Sequence, residues 1–247
     1  AAEAGYPAGV RALEGSPTGI DADLWRVLAE EIGLAAIGLP DEVGGLGGLA
    51  EVLAIAEELG SSLAPVPFLS TTVLCGQILA GAGEAGAPYL ERVAEGRIAA
   101  AAITNARGEW SPADITCTFD GSTVSGTVRF VAHGASAEFL VVAARGSEGI
   151  HLIIVEAADA SVTPLPSLDF SRPTATVTFD GSPAVAIASG TPAEAAIRDG
   201  VDIAVIATGA DQLGGTQRCF DMTLEYIKLR RQFNREIGSF QAIKHRM

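Results

Sequence analysis

Apolar residues recur at helical spacing through the first part of the chain and change to alternation near its middle. Leu24, Val27, Leu28 and Ile32 form an i, i+3, i+4, i+8 stripe, with Asp21 or Asp23 placed to cap it and Gly33 to end it. Leu49, Val52, Leu53, Ile55, Ala56 and Leu59 predict a second helix stopping at Gly60. Pro65 and Pro67 then break the chain, Val73–Leu79 forms a third apolar stretch, and Pro88 opens a short helix to Gly96.

After Gly96, β-branched residues and alternation take over in Ile98–Thr104, Ile115–Phe119, Val124–Phe130, Phe139–Ala143, Ile150–Val155, Ala175–Phe179 and Val185–Ile187. Asp120-Gly121 and Asp180-Gly181 carry hairpin signatures. Short, closely spaced strands without helices between them predict an antiparallel barrel or sandwich. Thr191-Pro192 restores a helix start, and the helix runs to about Leu229 with Gly214-Gly215 inside it. Such glycines are tolerated where another element or a ligand approaches closely. A turn at Phe233-Asn234 precedes a last helix beginning near Ser239 and cut by Met247. The expected division is an N-terminal helical domain over 1–97, a β domain over 98–190, and the start of a helical bundle over 191–247.

Composition narrows the function classes. Apolar residues make up 48% and charged residues 19%, which excludes a disordered chain. The apolar runs fall far short of the roughly 20 residues of a membrane helix, and Ala1–Gly5 has no secretory pattern. A soluble, cytoplasmic protein is expected. The net charge of −14 argues against a nucleic-acid partner. Cys75, Cys117 and Cys219 stand apart without metal-ligand spacing and read as buried thiols, and His133, His151 and His245 do not cluster. No metal site is expected. Residues 218–247 nevertheless hold seven basic against three acidic side chains. That local patch suits a small anion, or else a solvated helix face.

One segment changes the picture. Arg230-Arg231-Gln232-Phe233-Asn234-Arg235-Glu236-Ile237-Gly238-Ser239-Phe240-Gln241 resembles the R-x-x-F-G-x-x-(I/L)-x-x-x-Q signature of acyl-CoA dehydrogenases. Trp25, Leu28-Ala29-Glu30, Gly33-Leu34, Gly38-Leu39-Pro40-Asp41-Glu42 and Gly44-Gly45-Leu46-Gly47 match that family's opening, and Glu57-Glu58-Leu59-Gly60 with Leu63-Ala64-Pro65 matches a third stretch. The resemblance implies an α+β fold in which helical domain, β domain and helical bundle follow in order, the bundle incomplete here. It implies FAD as cofactor and α,β-dehydrogenation of an acyl-CoA thioester. Arg230 and Gln241, with Gln232 and Phe233 beside them, are then the cofactor-binding residues, reaching the FAD of a neighbouring subunit. A guanidinium fork suits pyrophosphate oxygens. Gly45-Leu46-Gly47-Gly48 imitates a dinucleotide fingerprint, but helical stretches lie on both sides, so a flexible turn is expected.

The pattern also departs from the family. One of its two positions for the catalytic base falls at Ala204, which cannot accept a proton, and Asp202 is turned away by roughly 200° on a helix. The catalytic base is left unassigned. Thr104-Asn105-Ala106-Arg107-Gly108-Glu109-Trp110-Ser111 stands for the family's T-E-P-x-A-G-S-D, and Phe130-Val131-Ala132 for its W-I-T. Such erosion resembles the short partner subunits of two-gene acyl-CoA dehydrogenases. The expected assembly is an α2β2-type hetero-oligomer in which this chain completes a partner's FAD site, or a homo-oligomer with family members. The alternative is a structural pseudoenzyme without its own cofactor.

Overall fold

A computed structural model describes residues 8–16 and 18–247. The helical part comprises α1 (Ala8–Ala12), α2 (Ala22–Arg26), α3 (Leu49–Ser62), α4 (Gly76–Gly81) and α5 (Ala87–Ala94). Asp21 caps α2, its carboxylate accepting from Leu24 N at 2.9 Å. A π-type turn, Val27–Glu31, extends α2 and rotates its face. Trp25 and Ala29 are therefore buried, whereas Ile32, expected in the stripe, is 61% exposed. The Trp25 indole donates to Gly96 O at 2.9 Å, tying α2 to the entrance of the sheet.

α3 does not stop at Gly60. It continues to Ser62 and ends on Leu63, which takes the left-handed conformation at φ 46°. Gly60 serves packing instead, because a Cβ there would fall on the Asp211 carbonyl. The Gly45–Gly48 turn is pinned rather than flexible: Leu46 N donates to Ala36 O at 3.0 Å and Gly38 N to Leu46 O at 2.8 Å.

The strands are β1 (Ala99–Ala102), β2 (Thr118–Phe119), β3 (Thr123–Ala132), β4 (Phe139–Gly146), β5 (Gly149–Glu156), β6 (Ser161–Pro164), β7 (Thr174–Pro183) and β8 (Val185–Ser189). They form one eight-stranded sheet in the order β6-β7-β3-β2-β4-β5-β8, with β1 beside β4. Its pairings are antiparallel except where β4 meets β1 and β2, so the sheet is mixed. Every residue from Phe139 to Ala144 is buried. Phe139, Val141 and Ala143 face a core shared with α4, α5 and the long helix α6 (Gly190–Leu229), and Leu140, Val142 and Ala144 face the other side. Asp120-Gly121 makes the expected β2–β3 hairpin, the Asp120 carboxylate accepting from Ser122 N and Thr123 N. Those bonds hold its pKa below the usual carboxylate range. Asp180-Gly181 is not a hairpin turn. It is a bulge inside β7, where the register slips between Val124 and Gly126. The short edge strand β6, capped by Pro164, had no alternation to announce it.

α6 (Gly190–Leu229) spans 40 residues. Ser189, not Thr191, is its first flanking residue, and no side chain caps it. Among the described residues no helix is long and apolar enough to cross a membrane. Cys75 and Cys117 are buried, and burial pushes the Cys117 thiol up to about 11, whereas Cys219 is exposed on α6 rather than buried. The chain ends with β9 (Arg231–Gln232), β10 (Arg235–Glu236) and α7 (Gln241–Lys244), which begins two residues beyond Ser239.

Candidate functional site

Where the sheet meets α6, a cleft opens in two adjoining cavities of about 270 and 380 Å³. Ser70, Leu74, Ala132, Ala204 and Thr208 line both. A π-type turn, Leu69–Cys75, brings Ser70 and Leu74 to the cleft. β3 brings Phe130 through a bulge: the register passes from Val128 opposite Val177 to Val131 opposite Ala175. The extra residue leaves Phe130 at φ 59°, an uncommon conformation for an aromatic side chain. Its ring lies against Gly108, where an added Cβ would come within 3.3 Å of Phe130 Cδ2. The loop carrying Gly108 and Trp110 is closed by the buried Asn105, whose Oδ1 accepts from Arg107 N at 2.8 Å and Glu109 N at 3.0 Å.

Several hydroxyls lining the cleft are engaged within the chain. Thr104 donates to Arg129 O at 2.7 Å, Thr208 to Ala204 O at 2.7 Å, and Ser70 to Pro67 O at 3.1 Å. The Trp110 indole N–H is left as a donor without a partner among the described residues. A flavin ring presents four acceptors (N1, N5 and two carbonyls) and one donor along its polar edge. Besides the Trp110 N–H, the cleft offers the Gln212 amide and the Thr174 hydroxyl as side-chain donors.

His133, at φ 55° and 3% exposed, borders the larger cavity. Its Nδ1 lies 2.9 Å from Ser70 Oγ, and its buried Nε2 has no hydrogen-bond partner. An unpaired buried group of this kind costs about 1–3 kcal/mol. Burial, assisted by the Arg172 charge, lowers its pKa to about 3. Arg172 is itself paired with Asp211 of α6 at 2.6 Å and donates to Ala64 O at 3.3 Å, joining the loop before β7 to both helices.

The pKa shift sets a pH dependence. Unfolded, His133 takes up a proton near its ordinary 6.5, whereas folded it stays neutral to about 3, so the unfolded state binds more protons between those values. Stability should fall as pH drops through that window, by up to about 1.4 kcal/mol per pH unit from this group. Urea titrations from pH 7 to 4 should show a slope smaller by one proton in His133→Asn. Equal slopes would remove His133 as the cause.

Ala204 lines both cavities, and Asp202 is exposed and lines neither. The four signature residues lie elsewhere, on the short module that ends the chain. Arg230 closes α6: its N–H donates to Tyr226 O at 2.8 Å and its carbonyl accepts from Ile237 N at 2.8 Å. The hairpin pairs Gln232 with Arg235 across Phe233 and Asn234, both left-handed at φ 53° and 61°. Asn234, in place of the signature glycine, is among the side chains that best tolerate this conformation. Phe233 is 89% exposed at the tip. Arg231 donates across the turn to Asn234 O at 3.1 Å and the Gln232 amide to Arg231 O at 2.8 Å, whereas Arg230 makes no ion pair among the described residues. Arg235 stacks on Phe240, 3.8 Å from the ring centroid. The module thus presents a free guanidinium, an exposed Gln241 and a bare aromatic ring. This donor set suits a pyrophosphate with an adjoining flat ring.

Ala204 and Arg230 lie 26 residues apart on one helix, so about 39 Å separates them. No side chain bridges that distance. Sequence reasoning missed His133, Arg172 and Asp211, which come from three distant segments and carry no common spacing. The bulge at Phe130 was equally silent, since its strand alternates normally on either side.

A helical layer, a mixed sheet and a long closing helix, in that order, are the architecture of the acyl-CoA dehydrogenase fold. Two family profiles match: "Acyl-CoA dehydrogenase, N-terminal domain" over residues 7–97 and "Acyl-CoA dehydrogenase, C-terminal domain" over residues 195–247. The chain belongs to the acyl-CoA dehydrogenase family. It is similar to acyl-CoA dehydrogenase IpdE2 of Mycobacterium tuberculosis, at 33% identity over 98% of this chain and 64% of that protein. A variant of the Tcur3481-Tcur3483 steroid ACAD superposes with a TM-score of 0.82 at 32% identity, covering 96% of this chain and 66% of that one. The ChsE4-ChsE5 complex from Mycobacterium tuberculosis gives 0.81 at 30% identity, covering 97% and 66%. The chain therefore spans just under two thirds of the length of these relatives.

Proposed function

We propose that the chain is a subunit of a heteromeric, FAD-dependent acyl-CoA dehydrogenase and that it completes the partner subunit's FAD site with Arg230 and Gln241. The observation that carries this reading is the separation of about 39 Å between the phosphate-type donor set at Arg230 and the chain's own cleft at Ala204. The two features cannot serve one cofactor within one chain. Relatives solved as the ChsE4-ChsE5 and Tcur3481-Tcur3483 pairs support an assembly of unlike subunits. The second, a steroid ACAD, favours a steroid acyl-CoA thioester as substrate.

When bound, FAD supplies the hydride acceptor of the dehydrogenation. The work of this chain is limited to what its residues hold. Arg230 directs its fork toward anionic oxygens, Gln241 offers an amide, and Phe233 covers the cofactor from water. Ala204, one of the positions that the resemblance offers for the base, has no group to accept the α-proton. The engaged hydroxyls also support a second reading, in which the subunit buttresses its partner and touches no cofactor.

An absorbance spectrum tests the proposal. The purified chain alone should be colourless, and its complex with the catalytic partner should carry flavin. Stoichiometric flavin in a verified homo-oligomer of this chain would overturn the trans arrangement.

A further inference from the structure

The signature module has little of its own to hold it in shape. β9 and β10 contribute two residues each, and a two-stranded hairpin of that size is marginal by itself in water. Its turn is strained as well, because Phe233, a bulky side chain, stands at φ 53°. On the inner side the module is seated on α6. Arg230 O accepts from Ile237 N at 2.8 Å, and a Cβ added to Gly238 would lie 3.0 Å from Ile227 O. These contacts fix the base of the module. They leave the Phe233 ring, 89% exposed, to be held from elsewhere.

A stack of three side chains joins that ring to α7. The Arg235 guanidinium lies over the Phe240 ring, 3.8 Å from its centroid. Phe240 in turn meets Phe233 edge to face, with ring centroids 6.2 Å apart and planes at 81°. Phe240 also opens α7: its carbonyl accepts from Ile243 N at 3.0 Å and Lys244 N at 2.9 Å, and Gln241 follows it directly. Arg235 belongs to no ion pair among the described residues. Stacking, rather than a carboxylate, holds its side chain.

We propose that Arg235 is a positioning residue of the FAD-holding module: stacked on Phe240, it fixes the Phe233 ring and Gln241 relative to Arg230. This role rests on the trans FAD site read from the same module. A module ordered in advance loses less freedom on binding, so the stack contributes affinity without a contact of its own to the cofactor. Lysine would keep the charge but lacks the flat, delocalised face that covers the ring.

The test compares Arg235→Gln, Phe240→Leu, the double variant, and Phe240→Tyr, which keeps the ring. In the isolated chain, proton NMR should show the Arg235 δ-methylene shifted upfield by the ring current, and Phe240→Leu should abolish that shift. Its absence from the unsubstituted chain would overturn the stack. In the complex with the catalytic partner, Arg235→Gln and Phe240→Leu should each weaken FAD retention about two- to fivefold, the range of an exposed cation–π contact. The double variant should be no weaker than either single one, and Phe240→Tyr should retain flavin in full. Additive losses, or a loss in Arg235→Gln alone, would mean that the charge acts on FAD directly and would overturn the positioning role. A urea midpoint that falls together with flavin content would assign the stack to stability and overturn it too. Arg230→Ala, measured alongside, separates the two readings. If it releases flavin and the Arg235 and Phe240 variants do not, only the role of Arg235 falls. If none of them releases flavin, the trans site falls and this role with it.

Discussion

Gly214→Ala should destabilise the chain by about 2–3 kcal/mol, the range of overpacking in a closed interface. α3 and α6 cross at a pair of glycines. A Cβ on Gly214 would fall on the Glu57 carbonyl, and one on Gly60 would fall on the Asp211 carbonyl. The colliding atoms are backbone, so no rotamer change relieves them. The helices must separate, which loosens the apolar layer that includes Val52, Ala56, Leu59 and Ala207. For a chain of this size the melting midpoint should fall by about 4–12 °C. Gly209 is the control on the same helix, because an added Cβ there meets nothing within 4 Å. Gly209→Ala should stabilise by about 0.5–1 kcal/mol, since alanine orders more readily in a helix. If both substitutions moved the urea midpoint in the same direction, close approach would not be the reason for Gly214.

Arg230→Ala should weaken FAD retention by the assembled complex roughly ten- to a hundredfold. A charge-assisted hydrogen bond contributes about 1.5–3 kcal/mol, and each 1.4 kcal/mol is tenfold in affinity. The isolated fold should change little, because the exposed guanidinium makes no ion pair among the described residues. Arg230→Lys should recover only part, since a point charge cannot reproduce the bidentate fork. Arg231 is the neighbouring control: it already donates to Asn234 O at 3.1 Å. Flavin content after dialysis, measured for all three variants in complex with the partner, decides the matter. If Arg231→Ala released flavin and Arg230→Ala did not, the residue assignment would be off by one. If neither did, the buttress reading would replace the trans site.

Local patterns legible in the sequence were those whose cause is local. Asp21 caps a helix because its carboxylate reaches an N–H three residues on, and Asp120-Gly121 turns the chain because its side chain and φ suit a tight hairpin. β4 reads with the alternating strands, yet Phe139–Ala144 are all apolar and all buried, because the sheet is covered on both faces there. The signature module, by contrast, was readable, since Arg230 through Gln241 lie within twelve consecutive residues. Tertiary structure decided what depends on elements far apart in the chain. Gly60 reads as a stop signal alone and becomes a helix-crossing point only when Asp211 lies against it. Asp180-Gly181 reads as a turn alone and becomes a bulge because β3 pairs past it. His133, Ser70 and the Arg172–Asp211 pair share a cavity only after the sheet packs on α6. A helix or turn is governed by neighbours a few residues away, whereas a cavity is shaped by whichever distant surfaces burial brings together.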